Sequence, residues 1–294
     1  MPTEEERVRI TRLPCWRSRP EVSPLTGGMT NRNFLVQDVA GRHVVRLGHD
    51  VPHHGIFRWH ELAVSRAAHA VGLSPEIEYA EPGVLVMRYI EGRTLTPDDV
   101  RDPARFGSIA DLLRRCHTEL PHHLSGPRLR FCPFQAVRNY ATPLRAANSP
   151  WSGRLDELEA LNERLERDIT STAVAFGHND LLAGNLMEDH GRLWLIDWDY
   201  AAESSPLFDL ANLATNNLIP SGAATALLEA YFQSPVEPAV IRDFRALRVA
   251  SLLRESLWAM MSELHPAVPF DYAAYTRETL ERLDAEMTRY DAGD

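Results

Sequence analysis

Along the first ninety residues the apolar positions change at the short period of extended chain, and turn residues separate the runs. Residues 22–28 and 33–37 read as two strands around the turn Met29-Thr30-Asn31, and 43–47 as a third after the turn Ala40-Gly41. Residues 77–79 and 84–87 add two more. A helical period covers 57–71, where Phe57, Leu62, Val64, Ala68 and Val71 share one broad face and Gly72 supplies the stop. A short amphipathic helix over 4–13 precedes the strands. From Thr96 the period changes to that of helices, over 103–120, 134–147 and 153–169, and again from Pro206 to the end. The pattern predicts an α+β chain in two lobes: residues 1–91 form a small antiparallel sheet with one main helix, and 92–294 a larger, mostly helical lobe. The boundary falls at Glu91-Gly92.

Composition narrows the function classes. A chain of 294 residues with 44% hydrophobic and 24% charged residues can bury a substantial core, and no apolar run approaches a membrane span. Three scattered cysteines (Cys15, Cys116, Cys132) form neither a disulfide framework nor a zinc cluster. With a charged N-terminus lacking an apolar leader core, they predict a reduced, cytoplasmic protein. The net charge of −10 argues against nucleic acid as partner and suits a cationic small molecule.

The chemistry concentrates in two adjoining stretches. His178-Asn179-Asp180-Leu181-Leu182-Ala183-Gly184-Asn185 reads H-x-D-x-x-x-x-N, and the apolar strand 193–196 delivers Asp197 at its end, with Asp199 two residues on. Phosphoryl transfer from ATP needs these groups in this order: an Asp to accept a hydroxyl proton, then an Asn and a second Asp to hold Mg²⁺. Hard oxygen ligands suit Mg²⁺, which keeps waters and takes phosphate oxygens for its remaining positions. Upstream, Gly27-Gly28 lies in a strand-to-strand turn where backbone amides can approach phosphate. Arg46, within an apolar strand, is placed for the α and β phosphates and for an ion pair with Glu61 on the following helix. The strand 84–87 runs into a linker whose main chain can meet an adenine edge, at Arg88 and Ile90. His178 is expected to fix the loop backbone, His117 to be a satisfied packing histidine, and Asp209 to cap its helix or tie back to the loop. The cluster His49, His53, His54 and His60 has no metal-ligand spacing and reads as exposed loop.

Together these residues resemble the choline/ethanolamine kinase family, within the wider aminoglycoside-phosphotransferase and protein-kinase-like fold. The likeness extends from about Leu25 to about Trp258. It rests on the turn 25–31 with its Gly-Gly-x-Thr-Asn, on Val45-Arg46-Leu47, Glu61, Gly72-Leu73-Ser74-Pro75, the loop 178–185, Ile196-Asp197-Trp198-Asp199-Tyr200 and Phe208-Asp209-Leu210-Ala211-Asn212. The resemblance implies a two-lobed kinase fold with ATP and Mg²⁺ as cofactors. Asp180 becomes the base, Asn185 and Asp197 the metal ligands, Arg46 the phosphate-binding cation, and Thr30 and Asn31 part of the nucleotide turn.

Two departures from the family pattern bear on specificity. Asp199 stands where the family commonly has Glu, a shorter acid at a position that can hold a second metal or its water. Trp258 matches a family tryptophan, while Glu255, three residues earlier and on the same helix face, falls where another aromatic is common. The expected substrate is therefore a cationic amino alcohol of choline or ethanolamine type, its ammonium near Trp258 and Glu255 and its hydroxyl at Asp180. Other hydroxylated amines handled by the same fold, aminoglycosides or thiamine, are the nearest alternative. A nucleotide-binding module without catalysis is the more distant one.

Overall fold

The computed structural model describes residues 2–25 and 31–293. The N-terminal helix α1 (Glu4–Thr11) opens with a capping box, Thr3 and Glu6 each bonding the other's main chain. Strands β1 (Glu21–Leu25), β2 (Arg32–Asp38) and β3 (Gly41–Leu47) follow as an antiparallel meander. Helix α2 (Arg58–Ala70) comes next, ended by Gly72 at φ +72°. β4 (Ile77–Glu81) and β5 (Val84–Arg88) complete a five-stranded antiparallel sheet of order β1-β2-β3-β5-β4. Alternation puts Phe34, Val36 and Val45 on one face, where they pack with Ile10 and Leu13 of the α1 segment and with Val86.

Beyond the sheet, the chain passes so close to a neighbouring strand that only glycine fits. A Cβ on Gly92 would lie 2.3 Å from the Glu188 carbonyl oxygen. The two-residue strand β6 (Arg93–Thr94) and helices α3 (Pro97–Arg101), α4 (Phe106–Thr118), α5 (Pro133–Ala146) and α6 (Leu155–Asp168) follow. Three short strands come next, β7 (Ala175–Gly177) and the hairpin β8 (Leu186–Asp189) with β9 (Arg192–Leu195). β10 (Ala202–Ser204) pairs back with β7, and β6 with β8. Helices α7 (Pro206–Asn216), α8 (Ser221–Phe232), α9 (Pro238–Leu264) and α10 (Tyr272–Ala292) finish the chain.

Helix α9 is buried almost all round from Asp243 to Ser262, so it is the axis of the helical core rather than a surface helix. The larger apolar cluster gathers α4 to α10, and it also takes Val64, Ala67 and Ala68 from α2. The helix beside the sheet is thus anchored to the helical part. Among the described residues, no helix is long and apolar enough to cross a membrane. The expected α+β architecture is the one observed. The expected strand 22–28 is present as Glu21–Leu25, and its last three residues lie outside the described ones. The short strands β6, β7 and β10 and the single-turn α3 were not foreseen.

Candidate active site

The stretch from His178 to Asn185 has its shape imposed by helix α7. Asp209, in the first turn of α7 and fully buried, accepts from the main-chain N–H of His178 (2.7 Å) and of Asn179 (2.6 Å). Its second oxygen also meets His117 Nε2 at 2.9 Å. Further along α7, Asn212 Oδ1 accepts from the Leu181 N–H (2.6 Å), and Asn217 Oδ1 from the Ala183 N–H (2.8 Å). Two acceptors on α7 and one at its C-cap therefore receive four consecutive or near-consecutive loop amides. Asn179 sits in the left-handed region (φ +64°), a conformation costing about 1–3 kcal/mol in a residue other than glycine. It is held there by Asp209, by the Tyr200 carbonyl (3.0 Å) and by Ser204 (2.6 Å). His178 fixes the next segment by bonding the Ile196 carbonyl at 3.0 Å, as expected of it. His117 is more than packing, because it clamps the residue that clamps the loop.

Gly177 leaves no room for anything larger in this arrangement. A Cβ there would lie 2.7 Å from Ser204 Oγ and 3.0 Å from Asp209 Oδ2. Gly177→Ala is expected to destabilise the fold by about 1–3 kcal/mol, the usual scale of overpacking, and to lower activity in step. Urea unfolding of the variant checks this, and an unchanged midpoint would show that the loop tolerates the methyl group.

Asp180 emerges from this loop half-buried. Its recessed position pushes the carboxyl up to about 8, with Glu255, Asp197 and Asp199 adding to the rise and Arg254 opposing it. A base whose pKa lies near the operating pH is well matched to taking a proton. Asn185 Nδ2 donates to the main-chain oxygen of Asp180 (2.8 Å), while the Asn185 carbonyl accepts from the Ile196 N–H (3.0 Å). These two bonds draw the loop and the strand exit together. Asp197 follows in the left-handed region (φ +68°), which turns its carboxylate toward Arg46, at 3.1 Å.

Arg46 Nη1 also donates to Glu61 at 2.5 Å and to Asp199 at 3.3 Å. Burial alone would favour a neutral guanidine, and the three carboxylates more than offset it, so the group stays charged. Its Nε–H is buried without a partner among the described residues. A residue that sequence reading passed over completes the network. Arg58, one turn before Glu61 on α2, donates to Glu61 (2.5 Å) and to Asp199 (2.8 Å). Asn31 Nδ2 donates to the other oxygen of Asp199 at 2.9 Å. Asp199 is thus enclosed by two arginines and an amide, and a second metal at this carboxylate would have to displace them.

The remaining candidates fall around this centre. Gly27, Gly28 and Thr30 lie outside the described residues. Arg88 is exposed and paired with Glu76 (2.7 Å), and its own N–H is committed to the Glu76 carbonyl (2.9 Å). Ile90 has a buried side chain, and its main chain makes no hydrogen bond to another described residue. A cavity of about 630 Å³ adjoins Asp199, walled by His54, Phe131, Gln135, Tyr140 and Tyr200. Trp258 stands behind that wall, donating to the Tyr200 hydroxyl at 2.7 Å. Glu255 accepts from Arg254 and from Tyr275, both at 2.8 Å. Neither Trp258 nor Glu255 lines the cavity itself.

Two histidines depart from the expected exposed loop: one is His60, buried on α2 with its Nε2 at the Ala201 carbonyl (2.7 Å), and the other is His54. It is buried, stacked on Trp258 (5.2 Å between rings), and held between the Tyr140 and Ser262 hydroxyls at 3.2 Å each. Burial, with the nearby cations, pushes its pKa down to about 2, so the ring is neutral at pH 7. Nothing in the repeated histidines marked this one as internal.

Asn185 Oδ1 and the Asp197 carboxylate offer two hard oxygen donors on adjacent chain segments. Among the described residues no set of three His, Cys, Asp or Glu could hold a metal unaided. The donor set therefore fits a cation that brings waters and phosphate oxygens of its own, as Mg²⁺ does.

Sheet, helical core and the acidic centre between them define a protein-kinase-like phosphotransferase. The chain belongs to the phosphotransferase enzyme family, whose model matches residues 21–249. It is 28% identical over 271 residues to the protein LicA of Haemophilus influenzae, spanning 88% of this chain and 77% of that one. Among solved structures, a choline/ethanolamine kinase family protein from Mesorhizobium loti superposes with a TM-score of 0.79 at 24% identity, over 99% of this chain and 98% of the other. The choline kinase LicA from Streptococcus pneumoniae does so with a TM-score of 0.71 at 25% identity, over 90% and 94%.

Proposed function

We propose that this protein transfers the γ-phosphoryl group of ATP to the hydroxyl of a small amino alcohol, of the choline or ethanolamine type. The observation that carries the reading is the convergence of Asp180, Asn185 and Asp197 with the Arg46–Glu61 pair, one group for each task of phosphoryl transfer. Residues 1–91 serve the nucleotide and 92–294 the acceptor. Arg46 binds the α and β phosphates, with Glu61 and Asp199 orienting its guanidinium. Gly27, Gly28, Thr30 and Asn31 bind the phosphates, and the main chain at Arg88 and Ile90 meets the adenine. Asn185 and Asp197 hold Mg²⁺, which when bound neutralises the charge that develops between the β and γ phosphates. Asp180 accepts the hydroxyl proton as the new oxygen–phosphorus bond forms and the bond to ADP breaks. Such a reaction belongs where MgATP is supplied, in the cytoplasm.

An ADP-release assay with MgATP and a panel of ethanolamine, choline, thiamine and an aminoglycoside tests this. Ethanolamine or choline is expected to give turnover well above hydrolysis. The cavity is roomy enough to keep the larger amines in the panel. Turnover confined to thiamine or the aminoglycoside would overturn the substrate assignment and keep the phosphotransfer. Asp197→Ala tests the metal: the Mg²⁺ concentration needed for half-maximal rate is expected to rise about tenfold or more, with kcat nearly abolished. An unaltered Mg²⁺ dependence would place the ligand elsewhere.

A further inference from the structure

Two arginines on helix α9 are buried, and they are treated differently. Arg248 uses its Nε and Nη2 edge to grip the Glu286 carboxylate (2.5 and 3.3 Å) and gives Nη1 to the Ile219 carbonyl (3.1 Å). All its sides are answered. Arg254, six residues on and only 1% exposed, gives Nη1 to Glu255 at 2.8 Å and nothing more. Its Nε and Nη2, the edge that holds a carboxylate in Arg248, are both buried with no partner among the described residues. Leaving donors of an ionised group unanswered in the interior is costly, so such an edge calls for an acceptor, and an anion answers a guanidinium best.

The position of this edge bears on the acceptor. The guanidinium, like Trp258 and Glu255, stands behind the wall of the 630 Å³ cavity rather than in it, stacked on Tyr200 (4.4 Å to the ring centre) and near Phe131 (5.8 Å), two rings that line the cavity. It is also near enough to Asp180 for its charge to favour that carboxylate. Arg254 moreover occupies the two features that would attract a free ammonium. It neutralises Glu255, and it lies over the Tyr200 face, where an organic cation would find cation–π attraction. A simple quaternary or primary amine gains little from a pair already neutralised.

The geometry points to an acceptor that carries a carboxylate as well as an amine and a hydroxyl: a hydroxylated amino acid, its carboxylate received side-on by Nε and Nη2 of Arg254 and its hydroxyl directed to Asp180. This rests on the phosphotransfer reading above and narrows its substrate class. A planar guanidinium edge matches a carboxylate in two parallel hydrogen bonds, which a neutral group cannot make. Arg254 is then a specificity residue, and the ordinary phosphoryl-transfer groups act beside it unchanged.

Three matched pairs of acceptors, differing by the carboxylate alone, provide the test: serine against ethanolamine, homoserine against 3-aminopropanol, and N,N,N-trimethylserine against choline. ADP release by the wild-type protein with MgATP is measured for all six. In at least one pair kcat/KM is expected to favour the carboxylated member by ~10²-fold or more, because a site built to bond a polar group rejects the analogue lacking it. Arg254→Met is expected to collapse that ratio toward one, mainly through KM of the carboxylated member, and Arg254→Lys to restore only part of it. Since the wild-type comparison needs no variant, a misfolded Arg254→Met leaves the test intact. Turnover of ethanolamine, aminopropanol or choline with no gain from the carboxylate in any pair overturns this inference and leaves phosphotransfer to an amino alcohol standing. No ADP above hydrolysis with any of the six overturns this inference and the amino-alcohol assignment together.

Discussion

Asp180→Asn is expected to lower kcat by ~10²–10⁴, the scale for losing a general base, with little change in the KM for ATP. The substitution is nearly isosteric, and the structure explains why it should be a clean one. Asn185 bonds the main-chain oxygen of Asp180 and not its carboxylate, so the loop keeps its geometry when the side chain becomes an amide. The four amide contacts to Asp209, Asn212 and Asn217 are likewise main-chain contacts and remain. What disappears is a carboxyl that burial has brought to about 8, the group that accepts the proton in the proposed reaction. Steady-state kinetics on an accepted substrate, with thermal unfolding to confirm the fold, decides the matter. Near-normal turnover in a folded variant would remove Asp180 from the role of base.

The parts of this protein that were legible in its sequence are those whose signal is local. Strands β2 and β3 carry short apolar runs on either side of the turn Val39-Ala40, and α2 shows a helical face with glycine after it, so both could be placed from pattern and punctuation. The loop 178–185 stood out because its His, Asp and Asn come in the order and spacing that phosphoryl transfer would require, and the structure holds it as one unit through Asp209, Asn212 and Asn217. Strands of two or three residues, such as β6, β7 and β10, have no period to detect, and they exist only because distant segments pair with them. The same limit applies within the site. Arg58 looks like any charged residue in a first helical turn, and only the fold brings Asp199 within 2.8 Å of it. Asp209 and Asn212 lie on a helix that is buried almost throughout, with Asn217 at its C-cap, which in hindsight is the available signal: polar residues repeated along a buried helix need partners. Arg254 was invisible for the same reason, since a charge on a helix is expected to face water, and α9 has almost no face that does.

Asp209→Ala is expected to cost about 3–5 kcal/mol of stability at pH 7, the usual price of breaking a buried charge-assisted cluster by removing one partner. Two loop amides and His117 would lose their acceptor together, at a fully buried position. Activity should fall with stability, because the strained Asn179 and then Asp180 are held by those bonds. The pH dependence gives the prediction its sign. Burial by itself would raise the Asp209 carboxyl, but the donated bonds, His117 foremost, outweigh it and hold the group below its ordinary value of 3.8. A carboxyl depressed in the folded state stabilises it above the unfolded-state pKa and loses that effect as the pH falls through the folded one. The stability gap between wild type and Asp209→Ala should therefore be constant from pH 7 down to about 4 and narrow below that. Urea unfolding of both proteins across pH 7 to 3 measures the gap. A gap that widens on acidification, or that is absent at pH 7, would show that the anchor of the catalytic loop lies in α7 residues other than Asp209.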